Sequence, residues 1–260
     1  LSKILSKRKV ASSILAVGWP IPMKSHAKAH PHENPHYQHW PLTALLFLFV
    51  ILLGVYSVHE TSTWLHIRTG ADILEHKAVP TADAYSYTFT GRPWTTDSWL
   101  SDILFHHLDS GSGPAALMAL KALLAAAAFA LLLPLNPSSP LLAAGVLGLG
   151  ALAAWPGLTE TPAVFSLLLL ALLIRVLRPR RPFCWTIAAQ VVLIEVLWAN
   201  LDGAFAVLGL WLVGLKVMKT TMHAGRGERL RFGVLLLAAA AGLALNPLGL
   251  SVAARLFTQG

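Results

Sequence analysis

Charge is what this chain has least of. Only 12% of its residues are Asp, Glu, Lys or Arg, about half the share usual in a water-soluble domain. A chain of 260 residues that is 55% hydrophobic could bury a large core but has too little polar surface to coat it in water. With a mean hydropathy of +0.62, lipid is the better solvent. Cysteine is almost missing: Cys184 stands alone, which excludes an intrachain disulfide and suggests no thiol chemistry. Internal repeats are absent, and low complexity is confined to Ala/Leu-rich segments that read as lipid-facing helix. A net charge of +8 would point to nucleic acid in a soluble protein. Here the basic residues flank hydrophobic runs, so membrane orientation and anionic lipid account for them, and no nucleic-acid partner is expected.

Apolar runs are what the chain has in quantity. They occupy residues 41–58, 115–133, 141–155, 163–177, 183–199, 203–217 and 232–245, and predict an all-α polytopic transmembrane bundle of about seven spans. Several are short for a ~30 Å hydrocarbon core at about 1.5 Å per residue, so their helices should extend through polar flanks. A re-entrant pair around 141–177 is the alternative. The chain divides into a basic, His-rich tail (1–40), a first span (41–58), a long loop (59–113) and the remaining bundle (114–260). It opens on Leu1 rather than Met and stops at Gly260 just after an apolar run, so a piece of a longer protein is expected. Residues 14–18 are too short for the hydrophobic region of a signal peptide, and the first ten residues have the pattern of a short interfacial helix.

Orientation follows from the basic residues. With the tail inside, Lys3, Lys7, Arg8, Lys9, Lys24, Lys28, Arg175, Arg178, Arg180, Arg181, Lys216, Lys219, Arg226, Arg229 and Arg231 all fall on the cytoplasmic side. They are 15 of the 20 basic residues, leaving Arg68, Lys77, Arg92 and Arg255 outside and Lys121 within the second span. Seven spans and the positive-inside rule therefore agree. Carboxylates go the other way, and Glu60, Asp72, Glu75, Asp83, Asp97, Asp102 and Asp109 crowd the loop 59–113, with Glu160 and Asp202 in later outer turns.

That loop has pattern. Trp64, Ile67, Ala71 and Leu74 recur at helical spacing, and Tyr85-Ser-Tyr-Thr-Phe favours a strand. Gly91-Arg-Pro marks a turn, and residues 98–108 predict a second amphipathic helix with Trp99 and Ile103 on its packed face. At its start, Glu60 has the chemistry of a general base or of a ligand to a divalent cation, while His66 and Arg68 could neutralise phosphate. The plain structural alternative is a helix cap at Thr61 or Ser62 followed by an interfacial Trp.

Three further groups stand out. Glu160, Asn200, Asp202 and Asn246 sit at outer helix ends, where they would line a sugar-phosphate site or merely form turns. Glu195 lies inside a span, where it is either a functional carboxylate or a neutral one bonded to another helix, with Lys121 of the second span as one candidate partner. His26, His30, His32, His36 and His39 with Glu33 fit no zinc spacing, since Pro31 and Pro35 interrupt them, and suit a partner-docking tail better than a metal site.

The stretch Trp64-Leu-His-Ile-Arg-Thr-Gly-Ala-Asp-Ile-Leu-Glu-His, then Gly91-Arg-Pro-Trp, Asp97-Ser-Trp-Leu, Thr161-Pro-Ala-Val-Phe-Ser, Leu197-Trp-Ala-Asn-Leu-Asp-Gly and Leu245-Asn-Pro-Leu-Gly, resembles bacterial multi-pass membrane proteins. Those are similar to polyprenyl-phosphate-sugar-dependent glycosyltransferases of the GT-C superfamily. The resemblance spans most of residues 41–254. It implies a GT-C-like bundle in the bacterial inner membrane, with a lipid-phosphate sugar donor on the outer leaflet. Glu60 would be the catalytic acid, and His66, Arg68, Asp97, Glu160, Asn200 and Asp202 would bind substrate. The chain departs from the pattern at Ser62, where a second acid is expected, and at Asp202, where a His is expected. A non-catalytic scaffold or accessory subunit is the second reading. A transporter, which would carry inverted repeats or charges along several spans, is the third.

Overall fold

The computed structural model describes residues 40–56, 60–135, 139–178, 184–222 and 225–249. The His-rich tail, His59, Arg180, Arg181 and Arg255 lie outside them. Among the described residues the protein is all-α. Its helices are α1 (Trp40–Gly54), α2 (Thr61–His76), α3 (Trp99–Ser112), α4 (Pro114–Leu132), α5 (Pro140–Ala154), α6 (Ala163–Val176), α7 (Trp185–Leu201), α8 (Gly203–Thr221) and α9 (Arg226–Ala244). Short 3-10 turns follow α4 and α5.

Each apolar run of the sequence falls on one helix. Pro114 and Pro140 occupy first-turn positions of α4 and α5, where a missing N–H costs nothing and φ is already helical. Taken with their 3-10 extensions, α4 and α5 form continuous segments of 22 and 18 residues, and both are long and apolar enough to cross a membrane. α1, α6 and α7 are apolar but have 15, 14 and 17 residues. α8 and α9 each reach 19 residues by running into their charged flanks, which Lys, Arg and Glu permit as good helix formers.

α2 and α3 form the expected helical pair in the long loop, but their faces differ from the expectation. Trp64 is 51% exposed and Leu74 39%, while Thr63, Thr69, Gly70 and Ile73 turn inward. On α3 the buried residues are Ser101, Asp102 and Phe105, with Trp99 and Ile103 only partly covered. Gly70 explains the register. A Cβ there would lie 2.0 Å from the Asp102 carbonyl oxygen, so the two backbones meet where only glycine fits. The expected strand at Tyr85 is also absent. Asp83 Oδ1 accepts the N–H groups of Tyr85 and Ser86, a turn that takes up the donors a sheet ladder would need. Only an isolated antiparallel bridge, Ala82 with Pro93, remains.

Two apolar clusters hold the bundle. The larger joins Phe105, Leu117, Phe165, Leu169, Trp198, Val213 and Leu235 across α3, α4 and α6–α9. The smaller packs Leu46 and Val50 of α1 against Ala125, Phe129 and Ala151 of α4 and α5. Outside these clusters large apolar side chains face outward: Leu141, Leu142, Val146 and Leu149 on α5, Leu45, Leu48 and Leu52 on α1, and Leu193, Trp211 and Leu237 on α7–α9.

Candidate functional site

Polar side chains gather where α1, α5, α7 and α9 end and α6 and α8 begin. The basic residues meet at the opposite ends: Arg175 and Arg178 donate to the carbonyls of Leu131 and Pro134, and Lys216 to that of Arg178. These cations satisfy carbonyls left open at helix C-termini and complement their dipoles.

Asn200 and Asn246 are spent on the framework of the carboxylate end. Asn200 donates to the carbonyls of Val196 (2.7 Å) and Leu245 (2.9 Å) and accepts the Trp99 indole N–H at 2.8 Å. Asn246 donates to the Ala199 carbonyl and accepts the Leu248 N–H at 2.8 Å. The pair therefore ties α3, α7 and α9 together. Asp97 acts similarly at the start of α8, with its Oδ2 3.1 Å from the Ala204 nitrogen and its carbonyl 3.2 Å from that of Gly203.

Asp202, in the one-residue link between α7 and α8, is 6% exposed. It accepts the Ser166 hydroxyl, whose oxygen accepts the Trp198 N–H at 2.6 Å. Burial pushes the Asp202 carboxyl up to about 6; the charge of Asp97 adds to this, while Ser166 and His66 oppose it. His66 does not face Glu60. Its Nδ1 lies 2.7 Å from Oδ1 of the fully buried Asp102, whose other oxygen accepts the Thr96 hydroxyl at 2.7 Å. Asp102 was visible in the sequence only as one carboxylate among seven in the loop, and its i, i+4 relation to Ser98 was the available signal. Arg68 pairs at 3.2 Å with Asp72, on the exposed side of α2. Neither His66 nor Arg68 forms a hydrogen bond or ion pair with Glu60.

Glu60 instead belongs to a cavity of about 290 Å³ lined by Tyr56, Glu60, Trp155, Pro156, Thr159 and Glu160. Glu60 sits at the cap position of α2 and accepts the Ser62 hydroxyl at 3.3 Å. Ser62, where a second acid was expected, thus supports the first one. Glu160 is 2% exposed, and its carboxylate meets Lys121 Nζ at 2.6 Å. The same Nζ lies 3.4 Å from the centre of the Tyr56 ring. Tyr56 donates its hydroxyl to the Leu158 carbonyl. Thr63 donates to the Glu160 carbonyl at 2.9 Å.

Lys121, one candidate partner for Glu195 from the sequence, pairs in the fold with Glu160. Glu195 lies fully buried against Gly209 of α8 and Gly242 of α9, and neither of its oxygens has a hydrogen-bond partner among the described residues. The missing side chains of the two glycines make the space it fills.

With Glu160 neutralised by Lys121, Glu60 is the carboxylate of this cavity without a cation partner among the described residues. It can accept a proton from a hydroxyl placed there. Lys121 is committed and cannot serve a phosphate. Among the described residues no group of three or more His, Cys, Asp or Glu is placed to hold a metal ion. Comparisons with protein-family models, curated proteins and solved structures find no match. The likeness to GT-C enzymes therefore rests on the sequence motifs alone.

Proposed function

We propose that the chain is a multi-pass membrane protein of GT-C-like glycosyltransferase type, acting at the end of the bundle where the carboxylates gather. Support for the membrane comes from the outward-facing leucines of α1, α5 and α7–α9, which would be costly in water at about 25 cal/mol per Å² of apolar surface and cost nothing in lipid. The separation of acidic and basic ends is in keeping with a bacterial inner-membrane orientation, tail inside and carboxylates outside.

The observation that carries the enzymatic reading is Glu60, a carboxylate with no cation partner among the described residues, on the wall of an open cavity beside Tyr56 and Trp155. In the proposed reaction Glu60 takes the proton of an acceptor hydroxyl, and the resulting oxygen forms a bond to the anomeric carbon of a lipid-phosphate sugar. The bond from that carbon to the phosphate oxygen breaks, and the lipid phosphate leaves with the electron pair. A divalent cation, if the reaction uses one, would have to be held largely by the donor phosphate.

The second reading, a scaffold or accessory subunit that docks a protein partner through its tail, is favoured by a different observation. Lys121 and His66 are each paired with a buried carboxylate, and Arg68 with Asp72 on the surface of α2, pairings that a structural layer would use. Glu60→Gln separates the two. In proteoliposomes supplied with a polyprenyl-phosphate-linked sugar, the enzyme loses transfer by two orders of magnitude or more while melting as before. A wild-type protein that transfers no sugar from any such donor refutes the enzymatic reading.

A further inference from the structure

A second cavity, of about 390 Å³, opens between the long loop and the turn after α9, lined by Val79, Thr81, Pro93, Trp94, Thr95, Pro247 and Leu248. Among the described residues its lining holds no charged side chain with which to recognise a phosphate, a carboxylate or an ammonium group. What it offers is an indole on one wall, prolines, a valine and a leucine on the others, and a hydroxyl at exposed Thr81. A ligand matching that surface must be neutral, with one apolar face and a rim of hydroxyl groups.

Both walls are held before anything binds. On the loop side, Asp83 N donates to the Arg92 carbonyl (2.9 Å), Gly91 N to that of Asp83 (2.7 Å) and Trp94 N to that of Thr81 (3.1 Å). These bonds clamp the two arms that carry Thr81 and Trp94. The Trp94 ring is braced edge-on by Tyr85 at 5.5 Å and 84°, and the Tyr85 hydroxyl is anchored on Asp72 at 2.9 Å. On the other side, Asn246 holds the Pro247–Leu248 turn through its bonds to Ala199 and to the Leu248 N–H. Walls fixed in this way spare a ligand the entropy of ordering them.

We propose that this cavity is a binding site for a neutral pyranose sugar, whose C–H face packs on the Trp94 indole while its hydroxyls reach Thr81 and the neighbouring backbone carbonyls. Sugars combine an apolar face with a hydroxyl rim, whereas an acyl chain would leave the threonine wall unused. The volume lies near the lower end of small-molecule pockets and suits one or two sugar rings. This site is separate from the Glu60 cavity, and sugar binding in it does not rest on the glycosyltransferase reading above.

The test uses the full chain in lipid nanodiscs, which avoid saccharide detergents, with methyl pyranosides of glucose, galactose and mannose as probes in saturation-transfer NMR. Ring C–H protons of at least one probe should receive saturation at millimolar concentration, and sugar 1-phosphates should bind no better. Trp94→Ala should weaken binding roughly tenfold, and Trp94→Phe, which keeps an aromatic face, should weaken it less. Thr81→Val, an exposed near-isosteric change, should weaken it about threefold and serves if Trp94→Ala does not fold. The proposal is overturned if no neutral pyranoside binds, if only phosphorylated sugars do, or if Trp94→Phe and Thr81→Val both leave binding unchanged. Sugar binding without any transferase activity would leave this site standing and remove the enzymatic reading.

Discussion

Lys121→Met tests whether the buried pair under the Glu60 cavity is an energetic unit. The Lys121 and Glu160 side chains are 0% and 1% exposed and meet at 2.6 Å. Methionine keeps most of the apolar stem and removes the charge. A carboxylate left behind in that setting loses its Coulomb partner but not its desolvation, a cost of about 3–5 kcal/mol. Losing the cation over the Tyr56 ring adds roughly 0.5–2 kcal/mol. The total approaches half of a typical folding free energy of about 5–15 kcal/mol. Glu160→Met should cost a similar amount, because it strands the ammonium instead. The double variant, which removes both charges and fills the volume with apolar side chains, should return to within about 2 kcal/mol of the wild type. Unfolding in mixed micelles titrated with dodecyl sulfate, followed by tryptophan fluorescence, measures all four proteins. The resulting cycle should show a coupling energy of several kcal/mol in magnitude. Losses that simply add in the double variant, or a Lys121→Met loss below about 1 kcal/mol, would refute the pairing argument.

Asp202 makes stability fall as pH rises. Its folded carboxyl is raised from 3.8 to about 6, so its contribution is complete below pH 3.8 and is lost as pH climbs through 6. The loss is about 3 kcal/mol at about 1.4 kcal/mol per unit. Wild type minus Asp202→Asn, measured from pH 4 to 7, should show that slope, and a flat difference would contradict the burial argument. Gly70→Ala should cost about 3 kcal/mol, at the upper end of overpacking penalties, because its Cβ would meet the Asp102 backbone at 2.0 Å. Gly145→Ala, with open space at its Cβ, is the control and should be neutral or stabilising in the same unfolding assay. For topology, exposed Cys184 is first replaced by Ala. An impermeant maleimide should then label Cys at position 86 or 112 from outside intact cells, but Cys at 227 only after permeabilisation; the reverse pattern would invert the orientation.

Which stretches become helix was determined by the sequence alone. Seven apolar runs are bounded by Pro, Gly and charge, and each falls on a helix here. Local rules also located α2 and α3, but not the faces they bury. The apolar stripe Trp64-Ile67-Ala71-Leu74 marks the inside only when water is outside. At a lipid boundary Trp64 can face outward, and the inward choice went to Gly70 because α3 passes within van der Waals contact of its backbone. The strand expected at Tyr85 failed because β propensity needs a partner strand, while Asp83 supplied a turn with none. Charge partners were beyond the reach of spacing altogether. Lys121 and Glu195 looked matched in depth, and His66 and Arg68 looked adjacent to Glu60. The fold instead sent Lys121 to Glu160, His66 to Asp102 and Arg68 to Asp72. Ionic contacts depend on a few ångströms of helix placement, which the packing at Gly54 against Ala122, and of Glu195 between Gly209 and Gly242, decides only after the bundle has closed.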